Sequence, residues 1–383
     1  MRVYLVGGAV RDRLLELPVR EKDWVVVGAS PQEMLELGYK PVGKDFPVFL
    51  HPETGEEYAL ARTERKTGPG YKGFAFHASP EVTLEQDLKR RDLTINAMAE
   101  TSDGRLIDPY HGRDDLDNGL LRHVSPAFAE DPVRILRVAR FAAQLGKWGF
   151  KVAHGTNALM RRMVENGEVD HLVPERVWGE LARALATDTP QRFFTMLAGC
   201  GALAALFPEI AREYGEQASH RHIESMPALQ ALEKGAARSA DPRVRFAVLV
   251  RALGQDLDAD QRLAQAEALC ERYRAPKEFL WLARHAIRHE TEVQSDDPEK
   301  LFVLMESAGG FRDARRWKQL LEVYVAAGLI DSARAACLER ARASAARVTA
   351  AAVEKPGLSG RELGAAIRQR RIEVIRDAGC GSA

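Results

Sequence analysis

The chain has 383 residues, 45% hydrophobic and 29% charged, and its 55 basic side chains are balanced by 55 acidic ones. That length holds two or three domains with ample core, and no apolar run approaches the roughly 20 residues that cross a bilayer, which argues against a membrane protein. A zero net charge lacks the basic footprint usual in nucleic-acid binders. Four widely spaced cysteines without a C-x-x-C pair (Cys200, Cys270, Cys337, Cys380) suggest neither a zinc site nor a disulfide framework.

The sequence enters a strand pattern at once, without a signal-peptide pattern, so the compartment reads as cytoplasm. Over the first 120 or so residues, β-rich runs at 3–6, 24–27, 47–50, 57–61 and 106–107 alternate with turn clusters, and helices are expected at 9–17 and 31–37. The strand-to-helix passage Leu5-Val6-Gly7-Gly8-Ala9-Val10-Arg11-Asp12 places two glycines where backbone must approach a ligand closely, and a new helix turn offers N–H groups to phosphate. Glu21 and Asp23 follow at i and i+2, a spacing that on a strand puts both carboxylates on one face, as a shared divalent metal requires. A phosphate cradle beside metal carboxylates points to phosphoryl or nucleotidyl transfer. The motif is neither the dinucleotide fingerprint nor the Walker loop, since it lacks G-x-G-x-x-G and G-K-[ST].

Glycine-rich, charged residues 64–73 read as a mobile loop, and 84–99 as a helix with Asp92 and Asn96 on one face. After Glu130 the pattern is helical almost to the end, with helices expected at 132–145, 174–185, 190–198, 244–253, 259–273, 276–285 and 314–326. No repeat of 20–50 residues is present. The fold class is therefore α+β: a head with a small mixed sheet, followed by an all-α remainder. Glu57, on a strand, is either an edge charge or a third carboxylate. Asp131 before Pro132 suits a helix N-terminus.

In order, Gly7-Gly8-x-x-Arg11-Asp12, Glu21-x-Asp23, Arg90-Arg91-Asp92 with Asn96-Ala97, Asp108-Pro109-Tyr110-x-Gly112 and Glu130-Asp131-x-x-Arg134 resemble the bacterial CCA tRNA nucleotidyltransferases of the polymerase-β superfamily, relatives of bacterial poly(A) polymerase. The resemblance implies a polymerase-β-like head over 1–125, a helical neck that reads the base over 126–210, a helical body over 211–300 and a tRNA-contacting tail over 301–383. Its activity would be template-independent addition of CCA to tRNA from CTP and ATP, with pyrophosphate released and no DNA partner. Glu21 and Asp23 would hold Mg²⁺, Glu21 standing where the family has Asp, with an extra methylene of roughly 1.5 Å. Gly8, Arg11, Arg91, Arg137 and Arg140 would hold the triphosphate, since a guanidinium is always charged and pairs bidentately with phosphate oxygens. Asp92 and Asn96 would orient Arg91 or meet the ribose. Asp131 and Arg134 would offer the base a protein-made Watson–Crick-like edge.

Within the same resemblance, the Asp108–Asp115 segment is a structural hinge, and Glu175 and Arg176 pair to support the base-reading helix. Residues 301–383 carry 14 Lys and Arg against 9 Asp and Glu, either a solvated surface or a weak hold on RNA. Some members continue into a metal-dependent HD phosphohydrolase. Here Arg251-Ala252 stands at the His-Asp position and offers no ligand, so His220, His222, His285 and His289 are expected to be ordinary surface or core residues and that activity absent. A poly(A) polymerase, a CC-only or A-only enzyme, and an inactive RNA-binding relic are the alternatives.

Overall fold

The computed structural model describes residues 1–19, 21–42, 48–66, 74–214, 226–353 and 359–380. Two compact units form, one from Met1–Ala184 with Arg192–Leu206, the other from Leu185–Gln191 with Phe207–Ala383. Among the described residues, no helix is long and apolar enough to cross a membrane.

The first unit is built on a seven-stranded mixed sheet. Its strands are β1 (Arg2–Val6), β2 (Asp23–Val27), β3 (Lys40–Val42), β4 (Val48–Leu50), β5 (Glu57–Leu60), β8 (Ala99–Glu100) and β9 (Leu106–Ile107), in the order β3-β4-β5-β2-β1-β8-β9. Two further strands, β6 (Arg62–Lys66) and β7 (Phe74–Ala78), make a separate antiparallel ladder. Side-chain alternation gives the sheet two apolar faces. Tyr4, Val6 and Val25 pack with Val82, Leu84 and Leu88 on one side, and Val26, Tyr58 and Leu60 pack with Met34 and Phe49 on the other. Helix α1 (Gly8–Leu14) follows β1, and α2 (Pro31–Glu36) and α3 (Leu84–Lys89) each begin in a capping box, Ser30 with Glu33 and Thr83 with Gln86. Helix α4 (Gly112–Asp117) leads to α5 (Val133–Gln144), α6 (His154–Glu165) and α7 (Pro174–Leu185), and strands β10 (Leu120–Leu121) and β11 (Lys151–Val152) pair in parallel.

The second unit is helical. Its core helix Pro242–Ala252 is buried along nearly every face and packs against Pro227–Ala236, Lys277–Arg288 and Ala314–Ala326. Arg245, 4% exposed in that helix, donates to the carbonyls of Ser239, Leu185, Thr187 and Ala236, so its buried charge carries satisfied hydrogen bonds.

Three expectations need correction. The helix expected over 84–99 stops at Lys89, and a 3-10 turn at Thr94–Asn96 and strand β8 replace its second half. Backbone bonds there go across the chain instead of along it: the Thr94 N–H donates to Arg122 O at 2.9 Å and the Val124 N–H to Asp92 O at 3.4 Å. Residues 64–66, read as loop, belong to β6, whose wholly polar sequence hides a strand that pairs, among the described residues, with β7; 67–73 lie outside the described residues. Cys337 and Cys380 form a disulfide with Cα atoms 5.6 Å apart, because helices Ser332–Ala346 and Gly360–Asp377 pack side by side, which a separation of 43 residues conceals. The other two cysteines are free and buried.

The hinge motif is structural in the way its residue types suggest. Asp108 accepts the N–H groups of Gly112 and Arg113 at 2.7 and 2.8 Å, capping α4. A Cβ at Gly112 would lie 2.2 Å from the Thr94 carbonyl oxygen, which is backbone and cannot swing away. Helix propensity alone favours alanine there by about 1 kcal/mol, yet Gly112→Ala is expected to destabilise the first unit by about 3 kcal/mol because the overpacking dominates. Urea unfolding checks the sign, and an unchanged or raised midpoint would contradict the packing described.

Candidate active site

Strand β1 delivers the chain into the site. Gly7 turns with φ +71°, a conformation costly for any side chain, and a Cβ there would also sit 3.0 Å from Arg91 Nη1. Helix α1 starts at Gly8, whose missing side chain leaves room beside the Arg11 guanidinium. Arg91 therefore lies against the glycine turn. Its Nη2 donates to Asp87 at 3.3 Å, while its Nε–H is buried without a hydrogen-bond partner among the described residues, a donor that an anion at the turn would satisfy. Burial pushes the Asp87 carboxyl up, but the charges of Arg90 and Arg91 outweigh it and hold the group below the usual range.

In the sheet, Val6 faces Asp23 across β1–β2, and Asp23 is the register partner of Glu57 across β2–β5. Neighbouring strands lie about 4.8 Å apart, so Asp23 and Glu57 present two exposed carboxylates side by side on the face of Tyr4 and Val25. Glu21 is exposed too, but it precedes β2, so the expectation that Glu21 and Asp23 share one strand face holds for Asp23 alone. Strand register sets Glu57, the candidate third carboxylate, beside Asp23. Among the described residues no group of three or more His, Cys, Asp or Glu side chains is gathered to hold a metal. Two oxygen donors with no thiol or imidazole still suit a hard divalent ion, which commonly takes one or two protein carboxylates and completes its shell from phosphates and water.

Three expected triphosphate ligands meet around one aromatic ring. The guanidinium carbons of Arg11, Arg137 and Arg140 lie 5.1, 5.9 and 4.1 Å from the ring centroid of Phe141, at the favourable π-face distance for cations. Each arginine is also tied to its own carboxylate: Arg11 Nε to Asp12 at 2.9 Å, Arg137 Nε to Asp92 at 2.6 Å, and Arg140 Nε to Glu180 at 2.7 Å. Arg11 and Arg140 are largely buried, whereas the Arg137 side chain is 38% exposed and its two amino groups carry no hydrogen bond among the described residues. Asp92 raises Arg137's affinity for its proton, against the opposing pull of burial. For Arg140, burial lowers it despite Glu180. Phe141 was not anticipated, although its place beside Arg140 and four residues after Arg137 is the helical spacing that signals it.

The two expected base-reading residues sit at the start of α5 and are both engaged. Asp131 accepts the Val133 N–H at 3.1 Å, so it does cap the helix, and it also receives both amino groups of Arg176 at 3.1 and 2.8 Å. Arg176 thus supports the start of the helix through Asp131. Arg134, 8% exposed, donates to the carbonyls of Ala127 at 2.9 Å and Arg90 at 2.6 Å, anchoring α5 to the arginine-rich turn. Asp92 and Asn96 stay in contact, the Asn96 amide donating to Asp92 at 3.2 Å, but they orient Arg137 and Arg11, with Asn96 accepting from Arg11 Nη1 at 2.7 Å.

In the second unit, Arg251 and Arg262 both clamp Glu290, at 3.1 and 2.7 Å. Burial raises the Glu290 carboxyl, yet the two arginines hold it below its ordinary range. The ring nitrogens of His285 lie on the carbonyls of Trp281 and Ser307, and His289 Nε2 meets the Ser307 hydroxyl at 2.6 Å. Burial lowers the proton affinity of both histidines. His220 and His222 lie outside the described residues.

Residues 3–122 match the family model described as poly A polymerase head domain, and residues 149–214 the one described as probable RNA and SrmB-binding site of polymerase A. The chain is 50% identical to the multifunctional CCA protein of Methylococcus capsulatus, over 98% of this chain and 95% of the relative. It is 52% identical to the multifunctional CCA protein of Alkalilimnicola ehrlichii, over 98% and 97%. Its fold is similar to the Bacillus stearothermophilus CCA-adding enzyme in complex with CTP, with TM-score 0.67 and 22% identity over 98% of this chain and 89% of that one. It is likewise similar to the Thermotoga maritima CCA-adding enzyme complexed with tRNA, with TM-score 0.64 and 21% identity over 98% and 90%. Near-complete coverage at half identity, on a head that carries the glycine turn and the paired arginines, settles the affiliation: the chain belongs to the family of the multifunctional CCA proteins.

Proposed function

We propose that this protein adds and repairs the 3′-terminal CCA of tRNA, using CTP and ATP and releasing pyrophosphate. The observation that carries the reading is the convergence of Arg11, Arg137 and Arg140 on Phe141, in a chain half identical to multifunctional CCA proteins. Arg91 beside Gly7, together with Gly8, Arg11, Arg137 and Arg140, binds the triphosphate. Asp131 accepts from an exocyclic amine and Arg134 donates to ring acceptors, so that C and A are taken and U and G refused. Both residues are held by protein groups before any nucleotide arrives, and such an edge is rigid from the outset. Asp23 and Glu21, with Glu57 as an adjacent donor, hold Mg²⁺; when bound, it supplies charge stabilisation and activation of the attacking hydroxyl. Asp23 occupies the strand end nearest the glycine turn, where it would hold the metal beside the arginines that bind the triphosphate. The neck over 126–210 reads the base, and the tail over 301–383 holds tRNA, in a cytoplasmic enzyme.

A tRNA transcript lacking its last three nucleotides, given labelled CTP and ATP, is expected to grow by C, C and A and then stop. Asp23→Ala should abolish this while CTP still binds, and Glu21→Asp should keep or raise it. An unlimited A tail would identify a poly(A) polymerase, arrest after two C a CC-only enzyme, one A on a CC-ended tRNA alone an A-only enzyme, and no product a relic.

Phosphohydrolase activity is absent in this reading. What supports it is the Arg251–Glu290–Arg262 cluster at the position where a His-Asp metal pair would be needed, since a guanidinium cannot ligate a metal. Purified protein should hydrolyse neither 2′,3′-cyclic nucleotides nor phosphate monoesters with nickel or manganese. Metal-dependent hydrolysis that disappears in the His285→Ala, His289→Ala double variant would contradict it.

A further inference from the structure

Asn96 is 6% exposed and lies between two groups of opposite charge. Its Oδ1 accepts from Arg11 Nη1 at 2.7 Å, and its Nδ2 donates to Asp92 Oδ1 at 3.2 Å. Asp92 in turn accepts the Leu93 N–H at 2.8 Å and binds Arg137 Nε with its other oxygen at 2.6 Å. One buried chain of hydrogen bonds therefore runs from α1 through Asn96 and Asp92 to α5. An amide is the side chain that can turn an acceptor to a guanidinium and a donor to a carboxylate at once.

We infer that Asn96 is a positioning residue for nucleotidyl transfer, an amide relay that sets Arg11 and, through Asp92, Arg137 in one fixed relation. The inference rests on the triphosphate reading of those two arginines and adds what aligns them. Arg11 spends Nε–H and one Nη2–H on Asp12 and one Nη1–H on Asn96, so three of its five donors are fixed and the guanidinium plane cannot rotate. Its guanidinium carbon lies 5.1 Å from the Phe141 centroid and that of Arg137 5.9 Å, so the ring and the relay engage the same two cations. Asn96 itself does not reach the nucleotide in this role. It removes the freedom that would let the two arginines, which come from different elements, engage the triphosphate out of register.

Replacing Asn96 by Asp gives a readout that mere packing would not. A protonated Asp at 96 reproduces the amide, its carbonyl oxygen facing Arg11 and its O–H donating to Asp92. The charged groups around it are Arg11 with its partner Asp12 from α1, Asp92 with Arg137 and Arg134 of α5 behind it, and Arg91 across the Gly7 turn. Two carboxyls this close share a proton, and that proton is lost as pH rises. CMP incorporation by Asn96→Asp is therefore expected to approach wild type near about pH 6 and to fall as pH rises to about 9, while wild type does not follow that profile. Asn96→Ala should lose about 100-fold in kcat/KM for CTP at every pH, with the KM for tRNA unchanged, as a small misplacement of binding groups does. Thermal midpoints of each variant are read at both pH values.

A wild-type profile for Asn96→Asp would overturn the relay. So would its inactivity at every pH, or losses in both variants that follow the thermal midpoint. If wild-type protein itself adds no nucleotide, it is the triphosphate reading that fails, and the two failures are distinct.

Discussion

A carboxylate with almost no water around it organises the first unit. Asp92 is 5% exposed, and burial pushes its carboxyl up; the charge and hydrogen bond of Arg137, the Asn96 amide and the charge of Arg134 reverse this and hold it far below its ordinary range. Such a group is costly to bury and costlier to strip of a partner, about 3–5 kcal/mol when one member of a buried pair is removed. The chain accordingly bends to keep every partner. The helix that begins at Leu84 ends early, the backbone at 92–94 turns to residues 122–124, and α5 comes to lie where Arg137 can reach in.

The arginine cluster is likewise balanced by carboxylates, two of which serve a second guanidinium as well, Asp87 that of Arg90 and Glu180 that of Arg183. Arg11 with Asp12, Arg91 with Asp87, Arg137 with Asp92 and Arg140 with Glu180 each place the anion behind the cation. Four like charges can then share one region without mutual repulsion unfolding it. The anions also fix the direction of each guanidinium, so no reorganisation is left for the moment a triphosphate arrives, and preorganised charge is where enzymes gain most of their electrostatic stabilisation. The Phe141 ring lies within cation–π distance of all three cations of α1 and α5.

Much of this was legible in the residues. Strands 3–6 and 24–27, the glycine turn, and the helix that begins beyond Asp131 follow from alternation, φ requirements and helical periodicity, and Arg11, Arg137 and Arg140 do converge. What stayed hidden is what depends on distant partners. A pattern over 84–99 reads as helix because nothing local reveals that Asp92 belongs to an arginine 45 residues further on. Glu57 read as either an edge charge or a third carboxylate, and only the β2–β5 register sets it beside Asp23; the reach of Arg176 to Asp131 likewise depends on where α7 lies. The Cys337–Cys380 bridge depends on two helices packing together, and widely spaced cysteines carry no trace of that.

The most direct test of this account is the difference in unfolding free energy between wild type and Asp92→Asn, measured from about pH 7 to about pH 3. The folded-state pKa of Asp92 lies below its unfolded value of about 3.9, so its stabilisation is complete above that value and is lost as pH falls toward the folded pKa. The account predicts a wild-type advantage that is constant near neutrality and shrinks steadily below about pH 4. An advantage that stays the same down to pH 3, or grows on acidification, would show that Asp92 is not the ionised centre around which the site is built.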